Sequence, residues 1–576
     1  MTDEKTPDLV ALHERAAETR VVVVGAGIGG LVAALEFAKL GMGVTVVEAA
    51  ERAGGAIRSG EVAGLTLDLG AESFATRGGH VAALVEELGL SDEVVAPGTG
   101  AGGAWVAGVP GVGAAPLPAG GVLGIPGTPF APDVRRIIGT AGAWRAYLDR
   151  LRPVLTIGHD RSLGHLVASR LGRRVLDRLV APVTTGVYSA APESIDPDVA
   201  APGLNQALTR AGSLTGAVLD LAEARRTAPG GAVKGLRGGM GRLVDALVEA
   251  LAERGVEVRL GTPARAIEEA PDAADARPWR VVIDAPAEGA DGSADARPVA
   301  EPGEEPRAAG DASTGRALGA AADAGSGASD GSDPGATAVG DDAGSGAADW
   351  GDGSANPAGE TPAPAFATLE ADAVVVATEE GPARRLLAPL SGSALAAEPP
   401  HPGPVVDVVT LVVSAPALDR KPRGTGVLTV PGSFRAKALT HATAKWQWVA
   451  DAADPGAHVV RVSFGTAAEA PAMEGLDEAQ VADLAREEAS ALLGVDIAPG
   501  QVLGARRERF SQSQPAATQG HAEATARARD AIREIPGIGA VGAWLAGTGL
   551  AQVVPDAARE AERVRRALLF ADDADE

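Results

Sequence analysis

Apolar positions along this chain follow two periods, and the switch between them marks the elements. Val21–Val24 are four successive valines, the pattern of a parallel strand buried on both faces. From Leu31 to Leu40 the spacing becomes helical, and Gly43–Val47 reads as a second strand ending on Glu48. Between the first strand and the helix lies Gly25-Ala26-Gly27-Ile28-Gly29-Gly30. Strand, glycine-rich turn, helix and strand in this order predict a βαβ unit.

The glycine spacing gives that unit a chemistry. Gly25 permits a tight turn, Gly27 lets a pyrophosphate approach the backbone, and Gly30 lets helix and strand pack closely. The helix N-terminus offers unpaired N–H groups to phosphate oxygens. Glu48 can accept both hydroxyls of an adenosine ribose. The set predicts a bound FAD or NAD.

Further elements follow the same periods. Arg161–Leu171 is helical, Gly238–Leu243 opens a helix that runs to Arg254, and Val256–Leu260 is a strand. Pro278–Ile283 and Ala367–Ala377 read as two strands of one hairpin. Val405–Val413, Gly426–Val430 and His458–Phe464 alternate as strands do. Ile538–Leu550 returns to the first sheet, and a helix from about Val553 to Leu569 puts Pro555 in its first turn. Within the hairpin, residues 285–365 are dominated by Ala, Gly, Ser, Asp and Pro and lose apolar periodicity. Such a segment cannot bury enough surface to offset its ordering entropy, so a disordered insertion in an overgrown turn is expected.

These elements predict an α/β class, α+β overall, with discontinuous parts. Residues 1–18 form a flexible tail, and 19–62, 229–284, 366–392 and 534–571 form one nucleotide domain. Residues 63–92, 203–228 and 393–533 form a mixed-sheet substrate domain, and 93–202 a helical lobe.

Composition narrows the function. The chain has 576 residues, too many for one core, and 45% are hydrophobic. A net charge of −25 argues against nucleic acid and against an anionic membrane surface. The absence of Cys excludes disulfides, thiolate catalysis, iron–sulfur clusters and flavin attachment through sulfur. Eight scattered His show no HxxxH or HxH spacing, so no metal site is expected. The N-terminus lacks the pattern of a signal peptide, and no stretch of eighteen apolar residues occurs; a cytoplasmic protein without transmembrane segments is the expectation.

A second glycine cluster separates FAD from NAD. Glu51-Arg-Ala-Gly-Gly-Ala-Ile-Arg58 resembles the E-R-x-G-G motif of glutathione-reductase-type flavoproteins in the amine-oxidase-like superfamily. Leu67-Asp-Leu-Gly-Ala-Glu-Ser73 resembles the element that runs past the isoalloxazine there. Within that superfamily the chain resembles the protoporphyrinogen and coproporphyrinogen III oxidase family. The carrying residues are Gly70–Arg77, Gly186-Val-Tyr188, Lys234–Met240, Gly424–Leu428, Lys437-Ala-Leu-Thr440, Lys445-Trp446, Gln514-Pro and Gly520-His521. The chain departs from the pattern where Thr466 replaces the usual Arg, where SAAP follows Tyr188, and where the loop 511–518 lacks Trp and Tyr.

The resemblance implies a Rossmann-type domain of the glutathione-reductase kind holding FAD noncovalently. Gly25, Ala26, Gly27, Ile28, Gly29 and Gly30 would hold the pyrophosphate, with Glu48 and Ala49 toward the ribose and Arg52, Gly54, Gly55 and Ala56 capping the diphosphate side. Gly70, Ala71, Glu72 and Ser73 would line the flavin edge, and Ala264 would meet adenine through its backbone. Trp446 would lie near the flavin. Gly549, Leu550 and Ala551 would begin a helix aimed at the reduced flavin.

The implied reaction oxidises coproporphyrinogen III to coproporphyrin III in three two-electron steps, with dioxygen as acceptor. Arg77 is the first candidate for pairing with a substrate propionate, Lys437 and Lys445 the next. No side chain is assigned as a catalytic base. A transient contact with a ferrochelatase is an expectation of the same kind. Protoporphyrinogen IX is the alternative substrate. Flavin amine oxidases and carotenoid desaturases share the flavin motifs, and a porphyrin-holding flavoprotein with little turnover is a further reading.

Overall fold

A computed structural model describes residues 9–98, 100, 102–152, 162–226, 233–270, 277–285, 366–391, 395, 403–467, 471–511 and 517–570. Residues 1–8, nearly all of the 285–365 segment, and Gln514 with Pro515 lie outside the described residues. No described helix is long and apolar enough to cross a membrane.

The valine run forms the middle of a five-stranded sheet. Its order is Glu257–Arg259, Gly43–Val47, Arg20–Val24, Ala373–Val376 and Ile538–Ala540, and every pairing is parallel. Successive residues face opposite sides, so both sides are buried. Val21 and Val23 pack with the helices Ile28–Ala38, Gly241–Ala252 and Leu550–Leu569. Val22 and Val24 pack against Trp279, Val281 and Ile283 and against the helices Glu380–Leu387 and His521–Arg533.

The hairpin forms part of a three-stranded antiparallel sheet, Ala264–Glu269, Trp279–Asp284 and Phe366–Ala371. Asp284 pairs with Phe366, so the segment between them leaves from adjacent strand ends. The apolar run read as one strand, 367–377, is two: after Asp372 the chain enters the parallel sheet as Ala373–Val376.

A seven-stranded mixed sheet runs Val502–Ser511, Val405–Ser414, Ala457–Phe464, Ala436–His441, Gly426–Thr429, Trp105–Val109 and Gly113–Pro116. The helix Glu478–Leu493 covers one side of it. Helices between Pro132 and Arg226 form a separate apolar core.

Several predicted boundaries are corrected by this packing. The supposed tail contains a helix, Leu9–Glu18; Ala16 is buried and Arg15 donates to Leu569 O. Trp105–Val109 and Gly113–Pro116, placed in the helical lobe, are the last two strands at one end of the seven-stranded sheet. Leu204–Ala211 and Leu214–Arg226, placed in the substrate domain, pack into the lobe core through Leu204, Leu208, Leu214 and Val218. His80–Glu87 and His521–Arg533 likewise pack on the parallel sheet, through Val81, Leu84 and Ile532. An amphipathic period fixes which side of a helix is buried, not which core receives it. The last helix begins at Leu550, which moves Pro555 from the first turn into the second.

Candidate functional site

The chain turns at the end of the first strand with Gly25 at φ 110°. A Cβ there would lie 2.7 Å from Ala377 O, and one on Gly30 would lie 1.9 Å from Gly25 O. Both positions require glycine. Gly27 is different. Nothing lies within 4 Å of its Cβ position, and as N-cap it supplies no side-chain bond to the following helix. The amides of Ile28, Gly29 and Gly30 have no acceptor among the described residues, so an anion can accept from them.

Three glycine-containing segments meet at this turn. Gly54 N–H donates to Ala26 O at 2.8 Å, and Gly27 bridges Gly54 in parallel. Ala71 N–H donates to Ala56 O at 3.0 Å, and a Cβ on Gly70 would lie 2.1 Å from that oxygen. Arg52 is half-buried beside them. Burial and the nearby Arg58 lower its pKa, and it makes no ion pair among the described residues. The last helix packs Val553 against Gly29 and starts after Gly549, whose φ is 115° and whose Cβ position is also open.

Glu48 is already oriented by the turn. Its carboxylate accepts the Ala26 N–H at 2.7 Å and the Ala50 N–H at 2.9 Å, one on each oxygen. Each oxygen keeps a further lone pair for an outside donor. Ala49 is exposed next to it. Thr262 N–H donates to Glu48 O at 2.7 Å, which brings the strand beginning at Ala264 to this end of the sheet.

A buried ion cluster ties the second motif to the seven-stranded sheet. Glu72 accepts from Lys445 Nζ at 2.5 Å and from Arg461 Nη1 at 2.7 Å. Arg461 Nη2 also donates to Gly70 O at 2.5 Å. Burial by itself raises the Glu72 pKa; Lys445 and Arg461 more than reverse this and hold it at about 2. Lys445 is thereby removed from the cations available to a substrate. Its ammonium also lies 5.0 Å from the Trp446 ring centroid. Trp446 is buried with Val62, Leu67 and Leu69, and its ring edge approaches Gly235. Its indole N–H has no hydrogen-bond partner among the described residues.

Nearby Asp68 is buried, accepts the Met240 N–H at 2.8 Å, and has its pKa raised by burial to about 7. On the other side of the sheet, His441 Nε2 lies 3.1 Å from His458 Nδ1, and His458 Nε2 lies 3.0 Å from Asp419. Burial, then His458, lower the His441 pKa to about 3.

A cavity of about 210 Å³ lies between elements that carry three of the sequence motifs, and of the motif residues Lys437 lines it. The helix Ala181–Tyr188 approaches the hairpin Gly426–Thr429/Ala436–His441 so closely that a Cβ on Gly186 would lie 2.6 Å from Leu428 Cδ2. The lining includes Thr185, Thr429, Arg435, Lys437 and Thr466. Lys437 is buried and donates to Ser189 Oγ at 2.5 Å. Burial lowers its pKa to about 8.

Arg77 is exposed, makes no ion pair among the described residues, and is not in the cavity lining. Arg461 and the two histidines escaped the sequence reading, and Asp68 and Ser189 stood in quoted stretches without a role of their own. Arg461 had a legible signal, a single charge inside the apolar strand His458–Phe464.

Fold and site together define a mixed α/β oxidoreductase of the flavin-dependent class. The chain belongs to the flavin containing amine oxidoreductase family, whose model matches residues 28–296 and 360–569, and its cofactor is a flavin. It is 30% identical over 292 residues to a coproporphyrinogen III oxidase of Propionibacterium freudenreichii subsp. freudenreichii, covering 45% of this chain and 54% of that protein. It is 37% identical over 237 residues to one of Mycobacterium bovis, covering 39% and 49%. The chain thus spans about half the length of the curated relatives it matches. A solved structure from Exiguobacterium sp. 255-15, provisionally assigned as a protoporphyrinogen oxidase, superposes with a TM-score of 0.67 at 21% identity, covering 95% of this chain and 99% of that one.

Proposed function

We propose that the protein is an FAD-dependent porphyrinogen oxidase that converts coproporphyrinogen III to coproporphyrin III in haem biosynthesis. The observation that carries this reading is the cavity beside Lys437, between the helix that carries Gly186 and the hairpin that carries Leu428 and Lys437. Relatives named for that reaction support it.

The open space at Gly27 suits a diphosphate, with Ile28, Gly29 and Gly30 presenting helix amides and Arg52, Gly54, Gly55 and Ala56 on the other side. Glu48 and Ala49 stand at the ribose end, and the backbone of Ala264 serves adenine. Gly70–Ser73 and Trp446 form the flavin edge, and the helix beginning at Gly549, Leu550 and Ala551 favours negative charge at its N-terminus. With no cysteine in the chain, FAD is held without a bond to sulfur. When bound, it accepts two electrons from the substrate in each of three rounds and returns them to dioxygen.

The chain supplies position and charge. Glu72, fixed by Lys445 and Arg461, clamps Gly70–Ser73 to the sheet. Arg77 offers an exposed cation to a propionate. Anaerobic flavin reduction by coproporphyrinogen III, protoporphyrinogen IX and a panel of amines tests the reading. Rapid bleaching by coproporphyrinogen III is expected; bleaching by amines alone overturns it.

A further inference from the structure

We infer that Lys437, set by Ser189 in the cavity between the helix Ala181–Tyr188 and the Gly426–His441 hairpin, is a specificity subsite for one carboxylate arm of the substrate. This rests on the porphyrinogen reading above and names the group that recognises the substrate's acid chains.

Three observations converge. First, Lys437 is the one buried cation of the lining; Arg435, the other, is exposed. Second, it has no carboxylate partner among the described residues. Its ammonium has three donors, and the hydrogen bond to the Ser189 hydroxyl at 2.5 Å uses one. Lys445, by contrast, is neutralised by Glu72. An ammonium kept out of water beside a lone hydroxyl is costly unless an anion joins it. Burial brings its pKa only to about 8, so it still carries charge at neutral pH. Third, the cavity of about 210 Å³ is smaller than the roughly 300–1,000 Å³ of a pocket for a whole drug-sized ligand. It suits a carboxyalkyl arm and excludes a macrocycle.

Ser189 is held in place for this role. It is the C-cap of its helix with φ 55°, its N–H donates to Thr185 O, and its carbonyl accepts from Ala467 N–H. The hydroxyl is thus carried on a fixed backbone. Thr185, Thr429 and Thr466 belong to the wall, and its two acids, Asp177 and Glu193, are exposed.

The test is porphyrin binding by the flavin-loaded protein, read by quenching of porphyrin fluorescence. Wild type and Lys437→Met are each titrated with coproporphyrin III and with its tetramethyl ester, which lacks the charges. A charge-assisted bond lost on one arm weakens the acid about tenfold to hundredfold and leaves the ester unchanged. Ser189→Ala, which keeps the lysine, is expected to weaken the acid severalfold, and it carries the test if Lys437→Met fails to load flavin. Equal weakening of acid and ester, or no change in either, overturns the subsite while the porphyrinogen reading stands. If wild type neither binds coproporphyrin III nor oxidises its porphyrinogen, the reading fails and the subsite with it.

Discussion

Glu72 and Lys445 lie 373 positions apart in the chain, and their side chains meet at 2.5 Å. With Arg461 they join the Gly70–Ser73 segment to the strand Ala457–Phe464 and to the short helix Ala442–Lys445 that follows the neighbouring strand. Neither cation is available to a ligand while Glu72 is ionised.

Glu72→Gln should therefore destabilise strongly. It leaves two cations short of their shared anion, a change worth about 3–5 kcal/mol. The penalty is pH-dependent. The folded-state pKa of about 2 lies below the ordinary 4.5, so the stabilisation is complete above pH 4.5 and is lost as pH falls toward 2. Urea unfolding at several pH values should show the wild-type advantage shrinking over that window. A constant difference at pH 3 and pH 6 would contradict the pairing.

Gly27→Ala and Gly30→Ala should separate binding from folding. At Gly27 the φ of −68° suits any L-residue, and no protein atom lies near the new Cβ. This variant should fold with wild-type stability and lose flavin, measured by the visible absorbance of purified protein. Gly30→Ala places a methyl 1.9 Å from Gly25 O and should lower folding stability as well. Full flavin loading of Gly27→Ala would remove the diphosphate from this space.

Purified protein should be yellow and should release FAD, not FMN, on denaturation. An adenosine is needed to engage Glu48, and no cysteine is present to tether the flavin. Chromatography of the supernatant after acid precipitation checks both points. Recovery of FMN or of NAD alone would contradict the adenosine site.

Arg77→Gln should raise KM for the porphyrinogen and leave FAD content unchanged. An exposed charge-assisted pair contributes about 1.5–3 kcal/mol at most, so kcat/KM should fall by roughly tenfold to hundredfold, and less at high salt. Equal turnover by wild type and variant at low salt would return Arg77 to the ordinary surface.

Removing residues 286–364 and closing the hairpin with a short turn should preserve folding and flavin binding. Asp284 and Phe366 are already paired neighbours, so the shortened loop has little distance to span. Loss of flavin-loaded protein would show that the segment contributes to the fold.

The sequence by itself determined the local elements. Four valines before Gly25 fixed a strand buried on both faces, and the glycine spacing fixed the turn and helix that follow, because backbone conformation at these positions depends on adjacent residues. The pairing across the 285–365 segment was legible as two alternating strands whose patterns match. Tertiary structure alone decided which core received each helix, which is why Leu204–Ala211 joined the lobe and His521–Arg533 the parallel sheet. It also decided which charges were spent. Lys437 and Lys445 look alike in the chain, eight residues apart, yet one meets Glu72 and the other faces a cavity without a buried acid. A charge's partner is set by through-space distance, and the two lysines stand on different elements, Lys437 on the strand Ala436–His441 and Lys445 at the end of the short helix that follows it.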